Sequence, residues 1–442
     1  MSRLTYDQLV AELFPRLTGG IRWGLERTQH ILAADGDPHL RYRTVHIGGT
    51  NGKGSVAAHV ASVLQQDGSS VGLYTSPHLC TFRERIRING RAIEESALLR
   101  AAERLWPHIE QESPSFFEAT TAIAFAAFAD ANIDIAVVEV GLGGRLDATN
   151  VVTPDVVALT NVSLDHVQLL GPTIEHVARE KAGIIKPHVP VITGETGAAA
   201  LAIFREAAAA AAAPLRAVSS TDVGAVTTAM DGTAFDIHTA TWGRLHLHSP
   251  LPGAHQALNA ALAVLLLDAM PPPRPTHASV IRGVAATRWA GRLQLEYVAG
   301  VPWLFDVAHN VAGVEALVAA LRGLPLARPV AAVVGVLGDK DWSNMLAPLH
   351  RAADRVILTS PPTAPADRRW DAAAALDAAP APHALIVPGF IDALERAHDF
   401  AAGTGGTVVV TGSFHTVGDA LSALGRCPDG SDFRLTRPAF LQ

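Results

Sequence analysis

Cysteine is nearly absent from this 442-residue chain, which carries only Cys80 and Cys427. Two thiols cannot build a disulfide framework, and they suit a reducing cytosol. Long apolar runs are missing as well: Ile123 to Ala129 and Val408 to Val410 fall far short of a membrane span. The first residues, with Asp7 and Glu12 among them, lack the apolar core of a signal peptide. There is no excess of positive charge; the formal net charge of −7 gives no support for a nucleic-acid partner. Nor does the chain contain an internal repeat. What is present, 49% hydrophobic and 17% charged residues, describes a soluble globular protein. Its length exceeds what one core usually supports, so two domains and a cytoplasmic location are expected.

Strand and helix signals alternate, which predicts parallel sheets covered by helices. Ile135 to Val140, Asp155 to Thr160 and Val189 to Thr193 read as buried strands, and Ala198 to Ala213 as an alanine-rich helix. Between Val218 and His248 short alternating runs predict a small antiparallel patch. Pro252-Gly253 opens an amphipathic helix from about His255 to Met270, which ends at the proline cluster 271–275. A second strand–helix series follows Gly291-Arg292, with strands at Trp303–Asp306, Val330–Val336, Arg355–Thr359, Ala384–Val387 and Thr407–Thr411. The domains are therefore expected at 1–292 and 293–442.

The chemistry begins at Gly48-Gly49-Thr50-Asn51-Gly52-Lys53-Gly54-Ser55, directly after the apolar Thr44 to Ile47. A strand turning through glycines into a helix lets backbone N–H groups face a phosphate, and Lys53 adds a full charge. The helix is expected over Val56 to Gln66. The usual phosphate-loop pattern is met imperfectly, since Gly54 separates Lys53 from the hydroxyl residue. Glu139 interrupts an apolar strand near its C-terminal end, a place suited to binding Mg²⁺ beside a phosphate loop; a structural ion pair with an arginine is the competing reading. The glycines 141–144 could be mistaken for a dinucleotide fingerprint. Leu146 stands where the third glycine is required, and no helix is expected before Pro154. Further polar groups close later strands: Asp165-His166, Asp306-Val307-Ala308-His309-Asn310, Gly338-Asp339-Lys340-Asp341 and Gly412 to Thr416. His166 could equally be a satisfied core histidine, and Arg179 to Lys186 a solvated charge run. The last three of these turns close strands of the second series and share one sheet edge, which points to a shared site facing a cleft.

These segments, together with Tyr74-Thr75-Ser76-Pro77-His78-Leu79, Arg83-Glu84-Arg85-Ile86 and Phe116-Phe117-Glu118, closely resemble folylpolyglutamate synthase/dihydrofolate synthase, of the ATP-dependent Mur-type amide ligases. The likeness runs from Gly24 to Gly418. It implies an α/β protein: an N-terminal phosphate-loop domain on a parallel sheet, like the Mur-ligase central domain, and a smaller Rossmann-like C-terminal domain. It further implies that Gly49, Thr50, Asn51, Gly52, Lys53, Gly54 and Ser55 hold the ATP phosphates. Ser76, Glu139 and His166 would ligate two Mg²⁺ ions, and Lys181 would be carbamylated by CO₂. Asn259, Arg292, Asp306 and His309 would reach ATP or the reacting groups across the cleft, and Lys53, Lys181, Asp306 and His309 would take part in catalysis. Leu25, Glu26, Arg27, Phe117, Glu118, Leu146, Asp147 and Ala148 would surround the pterin, with core packing the competing account of Phe116 and Phe117.

The activity so implied is addition of L-glutamate to dihydropteroate, or to the tail of a reduced folate, through an acyl phosphate, by a monomer with no nucleic-acid or membrane partner. A cell-wall amide ligase of the same superfamily is a rival; a nucleotide-dependent switch that makes no bond is another. Arg83 departs from the family pattern, where many bacterial members carry asparagine, which touches substrate preference and leaves the ATP chemistry alone.

Overall fold

The computed structural model describes residues 4–17, 23–219, 221–433 and 435–441. Eight strands form the larger sheet: β1 (Arg43–Gly48), β2 (Val71–Tyr74), β3 (Ile86–Ile88), β4 (Arg91–Ala92), β5 (Ile135–Glu139), β6 (Val156–Leu159), β7 (Val191–Thr193) and β8 (Leu215–Ala217). Their spatial order is β4-β3-β2-β5-β1-β6-β7-β8. The six strands from β2 to β8 across this order pair in parallel, as the alternating sequence predicts, whereas β3 and β4 add an antiparallel edge. Both faces of the sheet are covered, which explains why its strands read as unbroken apolar runs. Val45, Ile47 and Val137 pack toward helices Lys53–Gln66 and Ala254–Ala269, while Tyr74, Ala136 and Val138 pack toward helix Phe116–Asp130.

The expected antiparallel patch is a meander of β9 (Val223–Ala229), β10 (Gly232–Thr239) and β11 (Gly243–Ser249). The second large sheet contains β12 (Gln294–Val298), β13 (Val301–Phe305), β14 (Val330–Val334), β15 (Arg355–Leu358), β16 (Ala384–Ile386) and β17 (Thr407–Thr411), in the order β12-β13-β17-β14-β15-β16. All its pairings are parallel except the hairpin β12–β13, a strand that the sequence reading did not anticipate. The protein is thus α/β throughout, with two parallel sheets that each carry helices. The segment before Pro154 also differs from expectation, because a short 3-10 turn spans Ala148–Val151. Asp147 caps this turn by accepting from the Thr149 N–H at 3.0 Å. Among the described residues no helix is long and apolar enough to cross a membrane.

The chain's last segment folds back onto the loop after β2. Asp432 donates its N–H to the Cys80 carbonyl at 3.0 Å, and its carboxylate accepts from the Phe82 N–H at 2.8 Å and the Tyr6 hydroxyl at 2.9 Å. Arg87 pairs with Asp429 at 2.5 Å. Within this strap Cys80 and Cys427 form a disulfide across 347 residues of sequence. Two cysteines expected to suit a reducing cytosol are thus joined here; their spacing in sequence carries no hint that a returning tail brings them together.

Candidate active site

Glycine geometry sets the phosphate loop. Gly49 and Gly52 both adopt positive φ, at 135° and 85°. A Cβ at Gly49 would overlap the Thr160 side chain, and one at Gly52 would lie 2.5 Å from Asn259 Oδ1, so neither position admits a larger residue without movement. Helix Lys53–Gln66 then starts one turn earlier than expected, directly at Lys53. Its N-terminus and the loop line a cavity of about 190 Å³ between the two sheets. Lys53 Nζ donates to the Thr50 carbonyl at 3.1 Å and lies 3.9 Å from Glu139 Oε1.

Glu139 sits at the end of β5 and accepts from the Ser76 N–H at 3.2 Å. Burial raises its pKa, opposed by Lys53, the Ser76 N–H and Arg292. The carboxylate therefore has both a lysine and an arginine in reach, so the ion-pair reading and the metal reading meet at one residue. His166 lines the same cavity; burial and Lys340 bring its pKa down to about 4, which keeps its imidazole neutral and able to donate a lone pair. Lys181 is 4% exposed, on helix Ile174–Ala182, and donates to the Gly49 carbonyl at 2.8 Å. Burial, aided by Lys53, lowers its pKa to about 7. The segment 179–186 is thus no uniform solvated charge run.

From the second sheet, Asp306 follows β13 and accepts from the Leu293 and Ala308 N–H groups, both at 3.0 Å. Burial raises its pKa against the pull of Arg292. Arg292 lies over the Phe414 ring at 5.4 Å. His309 and Asn259 join Arg292 and Asp306 in lining the cavity.

One residue quoted in the sequence reading but given no role there ties the two sheets together. Asp165 accepts from Lys340 Nζ at 2.5 Å and Asn310 Nδ2 at 3.1 Å, with His309 Nε2 at 3.6 Å. Burial alone would raise its pKa, but His309 and Lys340 hold it well below the carboxylate range. Asn310 also exchanges hydrogen bonds with Asn51 of the phosphate loop, at 3.0 and 3.2 Å. The signal available in sequence was only that these polar turns end parallel strands. Asp165→Ala removes one partner of a buried pair and leaves Lys340 unpaired, so the protein should be destabilised by about 3 kcal/mol. Denaturant titration of the variant reads this directly.

A second cavity, of about 580 Å³, adjoins the first and shares Ser76, Pro77, His166, His309 and Phe414 with it. Phe117, Glu118, Leu146, Asp147 and Ala148 line it, but Leu25, Glu26 and Arg27 do not. Arg27 reaches the wall indirectly, through Glu118 at 2.9 Å. The other Glu118 oxygen accepts from the Ser115 N–H and hydroxyl in a helix capping box, so this carboxylate is already occupied. Asp147 is likewise spent on the Leu142 and Thr149 N–H groups; burial raises its pKa to about 6. Phe116, 3% exposed, packs against Phe14 and Phe82 as a core residue, whereas Phe117 is only half-buried. Arg83 turns away, donating to the Ile93 carbonyl at 3.1 Å.

The two sheets with their helices each match a domain of the Mur ligases. Residues 47–267 match the Mur ligase middle domain, and residues 291–414 match the Mur ligase glutamate ligase domain. A dihydrofolate synthase/folylpolyglutamate synthase of Bacillus subtilis is 35% identical over 366 residues, covering 80% of this chain and 85% of the relative. The Escherichia coli protein of the same name is 34% identical and covers 91% of both chains. Among solved structures, a Mycobacterium tuberculosis folylpolyglutamate synthase complexed with ADP and AMPPCP superposes with a TM-score of 0.86 at 33% identity, covering 92% of this chain and 96% of that one. Escherichia coli FolC in complex with DHPP and ADP gives 0.82 at 31% identity, covering 94% and 97%. The chain belongs to the folylpolyglutamate synthase/dihydrofolate synthase family, and is an ATP-dependent ligase that forms C–N bonds.

Proposed function

We propose that the protein adds L-glutamate to dihydropteroate, to the glutamate tail of a reduced folate, or to both, by way of an acyl phosphate. The observation that carries this reading is the junction of the two cavities. The smaller has phosphate-loop geometry and the larger an apolar wall with a half-buried aromatic ring, and they meet at Ser76, Pro77, His166, His309 and Phe414. An acceptor bound in the larger cavity would thus present its carboxylate to the end of an ATP bound in the smaller. Attack on the γ-phosphate converts a poor electrophile into one with phosphate as leaving group. The glutamate amine then displaces that phosphate, giving an amide, ADP and phosphate.

Backbone N–H groups of Gly49 to Ser55 and the Lys53 ammonium would hold the ATP phosphates and offset charge at the transferred group. Asn259, Arg292 and Asp306 would contact the nucleotide, with Asp306 and His309 brought to it by closure of the second domain, for which we place the boundary at Arg292. Closure through Asp165, Asn310 and Lys340 would exclude water that hydrolyses an acyl phosphate. Among the described residues no three His, Cys, Asp or Glu side chains form a metal cluster, so a cation here would draw on hydroxyl and substrate oxygens as well. Ser76, Glu139 and His166 fit that mixed donor set, and Mg²⁺ held there, in two sites, would neutralise phosphate charge. A carbamate on Lys181 would add a carboxylate to the set; a buried amine with a pKa of about 7 supports it. For the pterin, Phe117, Leu146 and Ala148 provide the wall, with Arg27, Glu118 and Asp147 shaping it. We further read the protein as a cytoplasmic monomer acting on small molecules.

Mg-ATP-dependent incorporation of labelled glutamate, with dihydropteroate and tetrahydrofolate tested in parallel, decides the acceptor. Labelling of both means a bifunctional enzyme, and labelling of one fixes its step. ATP hydrolysis with neither acceptor labelled would reject the folate reading. The relatives' names disfavour a cell-wall ligase, and a non-ligating switch would show no glutamate-dependent ATP turnover.

A further inference from the structure

Arg85 is a buried cation that, among the described residues, no carboxylate touches: burial lowers its pKa, while Tyr74, Glu84 and Glu139 act on it from a distance. It follows the loop after β2, is 8% exposed, and lines the larger cavity. Its Nε donates to His78 Nδ1 at 2.8 Å, and its guanidinium carbon lies 5.1 Å from the Phe116 ring centre. For His78 to accept, its proton must sit on Nε2 and the ring must be neutral. Among the described residues no carboxylate forms an ion pair with Arg85. Glu84 and Glu139 are the acids whose charge reaches it, but their hydrogen bonds are made elsewhere. Glu84 is consumed by the N–H groups of Leu79, Cys80 and Thr81, at 2.9 to 3.0 Å, and Glu139 serves Ser76 and Lys53.

Burying a guanidinium with no carboxylate in contact is unfavourable even when acids lie at a distance, and a ligand carboxylate bound to it would offset that cost. The terminal nitrogens of Arg85 make no hydrogen bond among the described residues, and a planar fork of this kind matches a carboxylate in two parallel bonds. His78 and Phe116 fix the plane of the fork from two sides. Ser76 and Pro77, which border both cavities, lie on the same loop. We propose that Arg85 binds the carboxylate of the pteroate-type acceptor and aims it at the phosphate loop. Arg85 is then a substrate-binding residue, in a motif whose role the sequence left open. The proposal rests on the folate reading above, and it deepens that reading by naming the group that recognises the acceptor's charged end.

A thermodynamic cycle tests it. Dihydropteroate and its uncharged carboxamide would be titrated by fluorescence against the full-length protein with Mg-ADP present, for the wild type, Arg85→Gln and Arg85→Lys. The wild type should bind the carboxylate roughly 10- to 100-fold more tightly than the amide. In Arg85→Gln that ratio should fall to near one through weaker carboxylate binding, with amide and ADP affinities unchanged. Arg85→Lys, which keeps a charge on a similar stem, should give an intermediate ratio even if the glutamine variant folds poorly. Equal binding of the two ligands by the wild type, or an undiminished ratio in Arg85→Gln, would overturn the role of Arg85 and leave the folate reading standing. No binding of either ligand to the wild type would remove both.

Discussion

Replacing Lys53 with methionine should lower kcat for glutamate ligation by about 100- to 1,000-fold, the loss seen when one preorganised group facing transition-state charge is removed. Its Nζ now rests between the Thr50 carbonyl and Glu139, at 3.1 and 3.9 Å, so the charge is held at the mouth of the phosphate loop before any nucleotide arrives. The methionine stem fills the same space, and the glycine turns at Gly49 and Gly52 do not depend on it. Glu139 keeps the Ser76 N–H and the charge of Arg292, so the variant should lose some stability but remain folded while turnover collapses. Steady-state kinetics with ATP and acceptor both saturating separates this from weaker nucleotide binding. A variant retaining more than a tenth of wild-type kcat would show that Lys53 does not face the transferred phosphoryl group.

Removal of Lys181 should be of similar magnitude and should differ in its response to CO₂. A carbamate forms when the neutral amine attacks CO₂, and an exposed lysine near pH 7 is almost wholly protonated. Lys181 has its pKa lowered to about 7, chiefly by burial, so close to half of its amines are neutral at that pH. The sign follows: as pH falls through 7 the ammonium form takes over and carbamate is lost, whereas above 8 the amine is largely available. Wild-type activity in CO₂-depleted buffer should accordingly recover on adding bicarbonate at pH 8 and recover poorly at pH 6. Lys181→Ala should be slow under all these conditions, indifferent to bicarbonate, and partly restored by a small carboxylate such as formate. Full activity of Lys181→Ala without CO₂ would end the carbamate reading.

Much of the fold was legible from local physical chemistry. Parallel strands buried on both faces must be apolar along their whole length, so Ile135 to Glu139 and Thr407 to Thr411 could be read directly, within a residue or two. The phosphate loop was legible because positive φ at two positions and close approach to Asn259 leave glycine as the only fit. Strand β12 was missed because Gln294 to Val298 forms an edge hairpin with β13, where partial exposure blurs the apolar pattern.

The composition, the alternation of strand and helix, and the loop at Gly48 to Ser55 are properties of neighbouring residues, and the sequence by itself determined them. Which distant groups meet was decided only in three dimensions. Asp165 acquires its meaning from Lys340, 175 positions away, and the Cys80–Cys427 bond from a tail that returns across the molecule. Glu118 and Asp147 were expected around the pterin, yet backbone and side-chain donors already fill their carboxylates. Arg85 stands in a motif of the resemblance with no role attached, and only the packing shows it buried with no carboxylate in contact among the described residues. Burial and the satisfaction of charge depend on what packs around a group from every side, and that is fixed when the two sheets come together.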